Sequence, residues 1–279
     1  MLAPLLLLAG VFLLYPILRS FILSFYSTAA GIDSPRFVGF ENYRFLLGDR
    51  AFWLALANTA AFAVAYLCLQ IPLSLGLAVL LNSRRVRARR VLRFAFFSSY
   101  LAGNVFVAIL FSQLLSPTGG IAGRLFGIEI GWLTDPRLAM LSVLIAALWL
   151  TTGLGMIFFL AALQSIDPHL HEAAAVDGAG RWSRFWHITL PGVRHVTGYL
   201  AVVGLIGALQ LFELPYLLFQ QSAGPGNAAM TVVMYLYVWA FGIGELGYAS
   251  AIGWTLVLLA GCVCLLPSPM RRGWASEAG

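Results

Sequence analysis

Residues 172–191 read EAAAVDGAGRWSRFWHITLP and carry four charges, Glu172, Asp177, Arg181 and Arg184. On either side lie long runs with no Asp, Glu, Lys or Arg. They extend over Ala51–Ser83, Phe94–Gly123, Leu138–Ile166, His195–Phe212 and Leu246–Met270. A helix crossing a bilayer needs about 20 apolar residues and tolerates roughly 17. Each run is long enough, so the stretch is a patterned polar loop between membrane spans.

Composition agrees. The chain has 279 residues, 61% of them hydrophobic and only 10% charged. A soluble domain of this size carries about a quarter charged residues, so one core cannot hide this much apolar surface. Leu2–Leu18 lacks a basic leader and an A-x-A cleavage site, and it continues past Arg19 into Phe21–Tyr26. It is read as a retained first span. The reading predicts an all-α polytopic membrane protein of six transmembrane helices, at 2–26, 54–81, 94–115, 138–163, 196–219 and 246–268. Pro16 and Pro72 fall inside spans, which membrane helices tolerate. Residues 1–279 form a single transmembrane domain, with the loop at 164–194 inside it.

Charge placement orients the chain. All 17 basic residues are Arg. Arg84, Arg85, Arg87, Arg89, Arg90, Arg93, Arg181, Arg184, Arg194, Arg271 and Arg272 fall on one side of a six-span arrangement. Arg19, Arg36, Arg44, Arg50, Arg124 and Arg137 fall on the other. Cytoplasmic segments carry the excess of basic residues, so the patterned loop and both termini are expected in the cytoplasm. The net charge of +6 therefore marks topology and not nucleic-acid binding. Asp33 and the aromatics of 28–50, the Pro117-Gly119-Gly120 turn and the turn at 222–227 are expected outside. Ala228–Phe241 is read as a short interfacial helix, with a seventh span as the alternative. Cys68, Cys262 and Cys264 lie in apolar runs and are expected to be buried hydrophobes.

The loop has a local grammar. Asp167-Pro168 is a helix start. Leu170–Val176 is helix-competent, and Gly178 and Gly180 break it. Arg181–Thr189 is a second short helix, stopped by Pro191-Gly192. Trp182, Phe185, Trp186 and Thr189 recur at i, i+3, i+4 and i+7, which makes one aromatic stripe. The product is a helix–turn–helix knuckle. Either it lids this protein's own spans, or it docks a cytoplasmic partner through small residues and acids that pair with Arg or Lys.

The order E-A-A-x-x-D-G-A, followed by Phe185, Ile188 and Pro191, resembles the EAA loop of permease subunits of binding-protein-dependent ABC importers. The Asp177-Gly178-Ala179 version is similar to the carbohydrate-uptake, maltose-transporter-like branch. FVGFENYRFLL (Phe37–Leu47), NTAAF (Asn58–Phe62), SPTGGI (Ser116–Ile121), GWLTDPRLAM (Gly131–Met140), LAALQSID (Leu160–Asp167) and GPGN (Gly224–Asn227) extend the resemblance over essentially the whole chain. Ser99 departs from it, since relatives usually carry Pro there. The resemblance implies a division of labour. Two permease subunits, a heterodimer, form the path. Two cytoplasmic ATPase subunits use ATP-Mg, and an extracytoplasmic solute-binding protein delivers the solute across a bacterial or archaeal inner membrane. Glu172, Ala173, Ala174, Asp177, Gly178, Ala179, Phe185, Ile188 and Pro191 would couple to the ATPase. Glu172 would be the salt-bridge partner, Gly178 the turn, and Phe185 and Ile188 the packing anchors. The chain itself has no GxxxxGK[ST] phosphate loop, so it is expected to bind no cofactor and to be no enzyme.

The path is sought among intramembrane polar residues. Gly204, Gly207, Gln210 and Glu213 recur every three residues in the fifth expected span, with Phe212 and Tyr216 nearby. Gln210, Phe212, Glu213 and Tyr216 combine polar groups for hydroxyls with aromatic faces for C–H surfaces. They are the candidate substrate path, against the alternative of glycine-mediated helix packing. The double variant Glu213→Ala plus Phe212→Ala is expected to abolish uptake without loss of assembly. Asn58, Asn104 and Gln113 are weaker candidates. His169 and His171, two apart, face different sides of a helix and do not suggest a metal site. The cargo is expected to be a sugar or oligosaccharide. Another polar solute (glycerol phosphate, a polyol, a polyamine) is the near alternative, and an autonomous secondary transporter the remote one.

Overall fold

The structure, a computed structural model, describes residues 3–28, 35–83, 86, 88–116 and 131–265. Asp33, Arg84, Arg85, Arg87, Pro117, Gly119, Gly120, Arg124, Arg271 and Arg272 lie outside the described residues. So does most of SPTGGI.

Among the described residues, three helices are long and apolar enough to cross a membrane on their own: Pro4–Leu23, Arg50–Asn82 and Pro136–Ser165. The last shows how its sequence sets its start. The Asp135 side chain accepts from the Arg137 amide at 2.8 Å, and Pro136 takes the first helical position. At 30 residues it is about 45 Å long at 1.5 Å per residue, more than a hydrocarbon core of about 30 Å requires. Arg50–Asn82 carries Pro72 without breaking. The first span contains one π-helical turn, Gly10–Leu14, between Ala3–Ala9 and Tyr15–Leu23. After it, Tyr26–Ser27 pairs antiparallel with Arg36–Phe37 as a short two-stranded ribbon.

Two expected spans are corrected. The third, expected unbroken over 94–115, consists of Arg89–Leu101 and Gly103–Leu114, bent by 97°. Gly103 sits at the break with φ +74°. The Ser98 and Ser99 hydroxyls just before it bond back to the carbonyls of Ala95 and Phe96, both at 2.8 Å. Serine back-bonding and a glycine bend a helix without proline, so Ser99 does not straighten this span. The fifth, expected over 196–219, ends at Leu209, and a short helix restarts at Glu213–Leu218. The three-residue stripe from Gly204 to Glu213 is therefore not one helix face. Upstream, Arg181–Gly192 meets Arg194–Leu209 at 62°. The last helix runs over Leu246–Leu265, and the expected short helix forms as Val232–Tyr237 with a π turn over Val238–Ile243.

The chain divides into two units. One comprises the described residues of Met1–Ala60, Leu209–Phe212 and Met230–Leu266, and the other those of Ala61–Ala208 and Glu213–Ala229. In the first, Leu46, Phe52, Ala55, Val232, Tyr235, Tyr248 and Ile252 form the core. Polar groups pin it: the Tyr235 and Tyr248 hydroxyls both donate to one oxygen of Asp49. Burial alone would raise the Asp49 carboxyl. Those two hydroxyls, with the Ala51 and Phe52 amides, outweigh burial and hold it below the usual range. The Asn42 amide donates to the carbonyls of Ser24 and Tyr26 at 2.8 and 2.9 Å.

The second unit packs Leu75, Ala78, Met156, Phe159, Leu160, Val193 and Leu200. Between helices in lipid, close approach and hydrogen bonds replace the hydrophobic drive. Gly153 has the Phe96 carbonyl oxygen 1.8 Å from where a Cβ would sit, so only glycine fits there. Tyr66 donates to Thr151 at 2.9 Å, and Ser74 to the Thr152 carbonyl at 3.1 Å. Cys68 and Cys262 are exposed on their helices, against the expectation of burial. A thiol in an apolar run satisfies that pattern equally on an outward face.

Candidate functional site: a knuckle and two broken helices

The knuckle forms as its sequence dictates. Asp167 caps Pro168–Val176 by accepting from the His169 amide at 2.9 Å. At the other end Gly178 takes the left-handed conformation, φ +79°, with open space around its missing Cβ. The Ala179 amide then reaches the Ala174 carbonyl at 2.8 Å, and Gly178 reaches Ala175 at 3.2 Å. These are the two bonds of a Schellman ending. Glycine is needed here for its conformation and not for space. Gly180 is extended, φ −66° and ψ 168°, and starts the second helix in place of breaking the first. That second helix is Arg181–Arg184, a π turn over Phe185–Thr189, and Leu190–Gly192. It includes Pro191 and ends one residue beyond it.

The candidate coupling residues divide by exposure. Glu172, Ala173, Asp177, Gly178 and Pro191 are exposed, while Ala174, Ala179, Phe185 and Ile188 are half-buried. Phe185 packs against the core of its own unit and stacks on Trp182 at 5.8 Å. The aromatic stripe does not share one environment. Trp182 is 72% exposed, whereas Thr189, at its other end, is buried. The Arg184 guanidinium ties the two helices by donating to the His171 carbonyl at 3.5 Å. Among the described residues Glu172 meets an i,i+3 neighbour, with its carboxylate 3.3 Å from His169 Nδ1. Both side chains are mostly solvated, so this pair is weak. The result is a hydrogen-bonded helix–turn–helix with a solvated carboxylate and small residues beside it.

The candidate path residues lie at a helix break. Gln210 and Phe212 fall in the gap after Leu209, and Glu213 and Tyr216 in the short helix beyond it. In the first unit the Phe212 ring lies 4.9 Å from that of Tyr237, and Gln210 is exposed. In the second, Glu213 accepts from the Asn104 side-chain amide at 2.9 Å. Asn104 directly follows the other break, at Gly103. Two interrupted helices thus meet through the side chains at their interruptions. The Gly103-Asn104 pair, a turn signal within an apolar run, is the local clue to it. Sequence reasoning missed Tyr66, Gln70 and Ser74. Their spacing of four on one apolar helix is the signal for a buried polar seam.

Comparison with known proteins places the chain. The profile of the family described as "Binding-protein-dependent transport system inner membrane component" matches residues 70–268. The lactose transport system permease protein of Rhizobium radiobacter is 37% identical over 270 residues, covering 95% of this chain and 90% of that protein. An arabinooligosaccharides transport system permease protein of Bacillus subtilis (strain 168) is 35% identical, covering 99% of this chain and 88% of that one. Among solved structures, a chain of a bacterial alginate ABC transporter superposes with a TM-score of 0.80 at 25% identity. That complex holds an alginate pentasaccharide-bound periplasmic protein, and the match covers 95% of this chain and 90% of that chain. With a family profile spanning most of its length and relatives aligned end to end, the chain belongs to the binding-protein-dependent transport system inner membrane components, the multi-pass permease subunits of ABC transporters.

Proposed function

We propose that this chain is one of two permease subunits of an ATP-driven importer, and that it lines the path of a sugar or oligosaccharide delivered by a solute-binding protein. The knuckle carries the reading. It is preformed, its Glu172 carboxylate is solvated, and its Phe185 is seated in its own unit. A hydrogen-bonded element of this kind passes on a push from whatever grips it. Glu172 would pair with a basic residue of an ATPase subunit, and Ala173, Asp177, Gly178 and Ala179 would form the gripped surface. Phe185, Ile188 and Pro191 would join that surface to the spans. ATP-Mg would be used by the two ATPase subunits, and the knuckle and both termini would lie in the cytoplasm.

The names of the relatives favour saccharides as cargo: lactose and arabinooligosaccharides for two similar permeases, alginate for the similar solved transporter. The path is assigned in the second unit to the Asn104–Glu213 junction with Tyr216, because irregular backbone within a membrane protein is tolerated where it lines a cavity or is buried in protein; Gln210 and Phe212 of the first unit are kept as candidates on sequence grounds. Uptake in lipid vesicles tests the reading, using this chain with its second permease, ATPase and binding protein. Glu172→Lys is expected to leave assembly of the spans intact and to cut ATP-dependent uptake by about 30-fold or more, the cost of about 2 kcal/mol upward for breaking a hydrogen-bonded interfacial charge pair. Saccharide uptake by this chain alone, indifferent to ATP and to Glu172, would replace the importer reading with a secondary transporter.

A further inference from the structure

At the end of Pro136–Ser165 opposite the knuckle lies a cleft of about 530 Å³. Its walls come from the end of the broken third helix (Ser112, Gln113), from Thr134 just before the Asp135 cap, and from the turn that carries Phe219, Gln220 and Ser222. The volume falls within the range of about 300–1,000 Å³ typical of small-molecule sites.

The turn wall is built and not merely left over. Gln220 and Gln221 are consecutive non-glycine residues in the left-handed region, φ +53° and +66°. Side chains resist that conformation, and it persists only where surroundings impose it. Here the Gln221 amide bonds the Tyr216 carbonyl at 2.7 Å, and the Ser222 amide bonds the Phe219 carbonyl at 3.2 Å. Gly224, also left-handed, brings its backbone against the Phe219 ring, which lies 3.3 Å from the place of a Cβ. Strain held by so many bonds gives a preorganised surface, which lowers the ordering cost of binding.

The chemistry of the wall selects a ligand. The hydroxyls and amides of Ser112, Gln113, Thr134, Gln220 and Ser222 both donate and accept, and Phe219 offers an apolar ring. The described lining residues are uncharged, and their hydroxyls and amides match the hydroxyls of a neutral sugar. Gln113, a weak candidate for the path by sequence, finds its place in this wall.

We infer that this cleft is a binding subsite for a neutral oligosaccharide, occupied at the end of Pro136–Ser165 remote from the knuckle. The inference rests on the saccharide-importer reading above and deepens it by naming the class of sugar and a site distinct from the Asn104–Glu213 junction. The complete transporter in lipid vesicles is the test system, with Cys68, Cys262 and Cys264 of this chain replaced by Ala. Gln113→Cys and Thr134→Cys are made one at a time, with Glu41→Cys as a control outside the cleft. Maleimide modification of this chain is timed with lactose, arabinotriose or alginate trisaccharide, and retained assembly is checked by copurification of the ATPase. A ligand at ten times its Kd leaves about one site in eleven free, so the neutral sugar that is carried should slow modification at both positions about ten-fold. Glu41→Cys should not change, nor should alginate trisaccharide protect.

Radiolabelled uptake of the same three sugars in vesicles with the native chain separates the two claims. ATP-driven uptake of a neutral sugar without protection overturns the subsite and leaves the importer reading standing. Uptake of a sugar that is indifferent to ATP, with no protection, overturns both. Equal protection by alginate trisaccharide overturns the selection for neutral sugars. Protection by the unliganded binding protein alone makes the cleft a protein-docking surface and overturns the proposal.

Discussion

The knuckle and the packed spans beneath it are held by opposite kinds of contact. In the knuckle nearly every stabilising bond joins residues within five positions: Asp167 to His169, Ala179 to Ala174, His187 to Ser183. In the spans the decisive contacts are long-range: Gly153 against the Phe96 carbonyl, Tyr66 to Thr151, Ser74 to Thr152. The first kind is set by conformational preference and survives wherever the chain is tethered. The second exists only once two helices have come together in lipid, where geometry replaces the hydrophobic drive. Damage to the two regions should therefore look different.

The largest effect is expected from Gly153→Leu. A side chain there has no space against the Phe96 backbone, and overpacking costs up to about 3 kcal/mol even where neighbours relax. The yield of folded protein in detergent should collapse and its melting temperature fall, while a knuckle peptide of 166–192 would show no counterpart. A wild-type melting temperature would mean that this close approach is not what holds the two helices. Asp167→Ala should be milder and confined, costing about 1 kcal/mol at the helix start. Hydrogen exchange at the amides of His169 and Leu170 should accelerate while amides of the spans keep their protection. Acceleration spreading into Pro136–Ser165 would erase the contrast between the regions. The smallest effect is reserved for Tyr66→Phe, which removes one interhelical hydrogen bond worth about 0.6 kcal/mol in a membrane. A drop many times larger, read by thermal melting, would show the polar seam acting as a unit with Gln70 and Ser74.

The same contrast explains what could be read from the residues. Asp167-Pro168, Gly178 and the uncharged runs act through local conformation and solvation, so their consequences are visible without a fold. The bend at Ala102–Gly103 is only faintly marked, because apolar composition does not distinguish a straight span from a broken one and the Gly103-Asn104 pair is the sole turn signal there. The hydroxyls that favour the bend, Ser98 and Ser99, read as ordinary polar interruptions. The three-residue stripe ending at Glu213 is misplaced for the same reason, since a periodicity argument assumes the helix continues. Asn104 and Glu213 are 109 positions apart, and nothing local in either announces the other.

The π turn over Phe185–Thr189 has a consequence for editing this chain. Such a turn holds one residue more than an α-helix would between the same flanks. Deleting a single residue from 185–189 would therefore close the turn to an α-helix and leave its flanks in their present register. A deletion inside the α-helical run Arg194–Leu209 would instead rotate everything beyond it by about 100°. Val193, wholly buried, would keep its place relative to Trp182 and Glu172 in the first case. The knuckle would stay aimed as a lever, so a one-residue deletion should be tolerated better in these five positions than in the α-helix that follows.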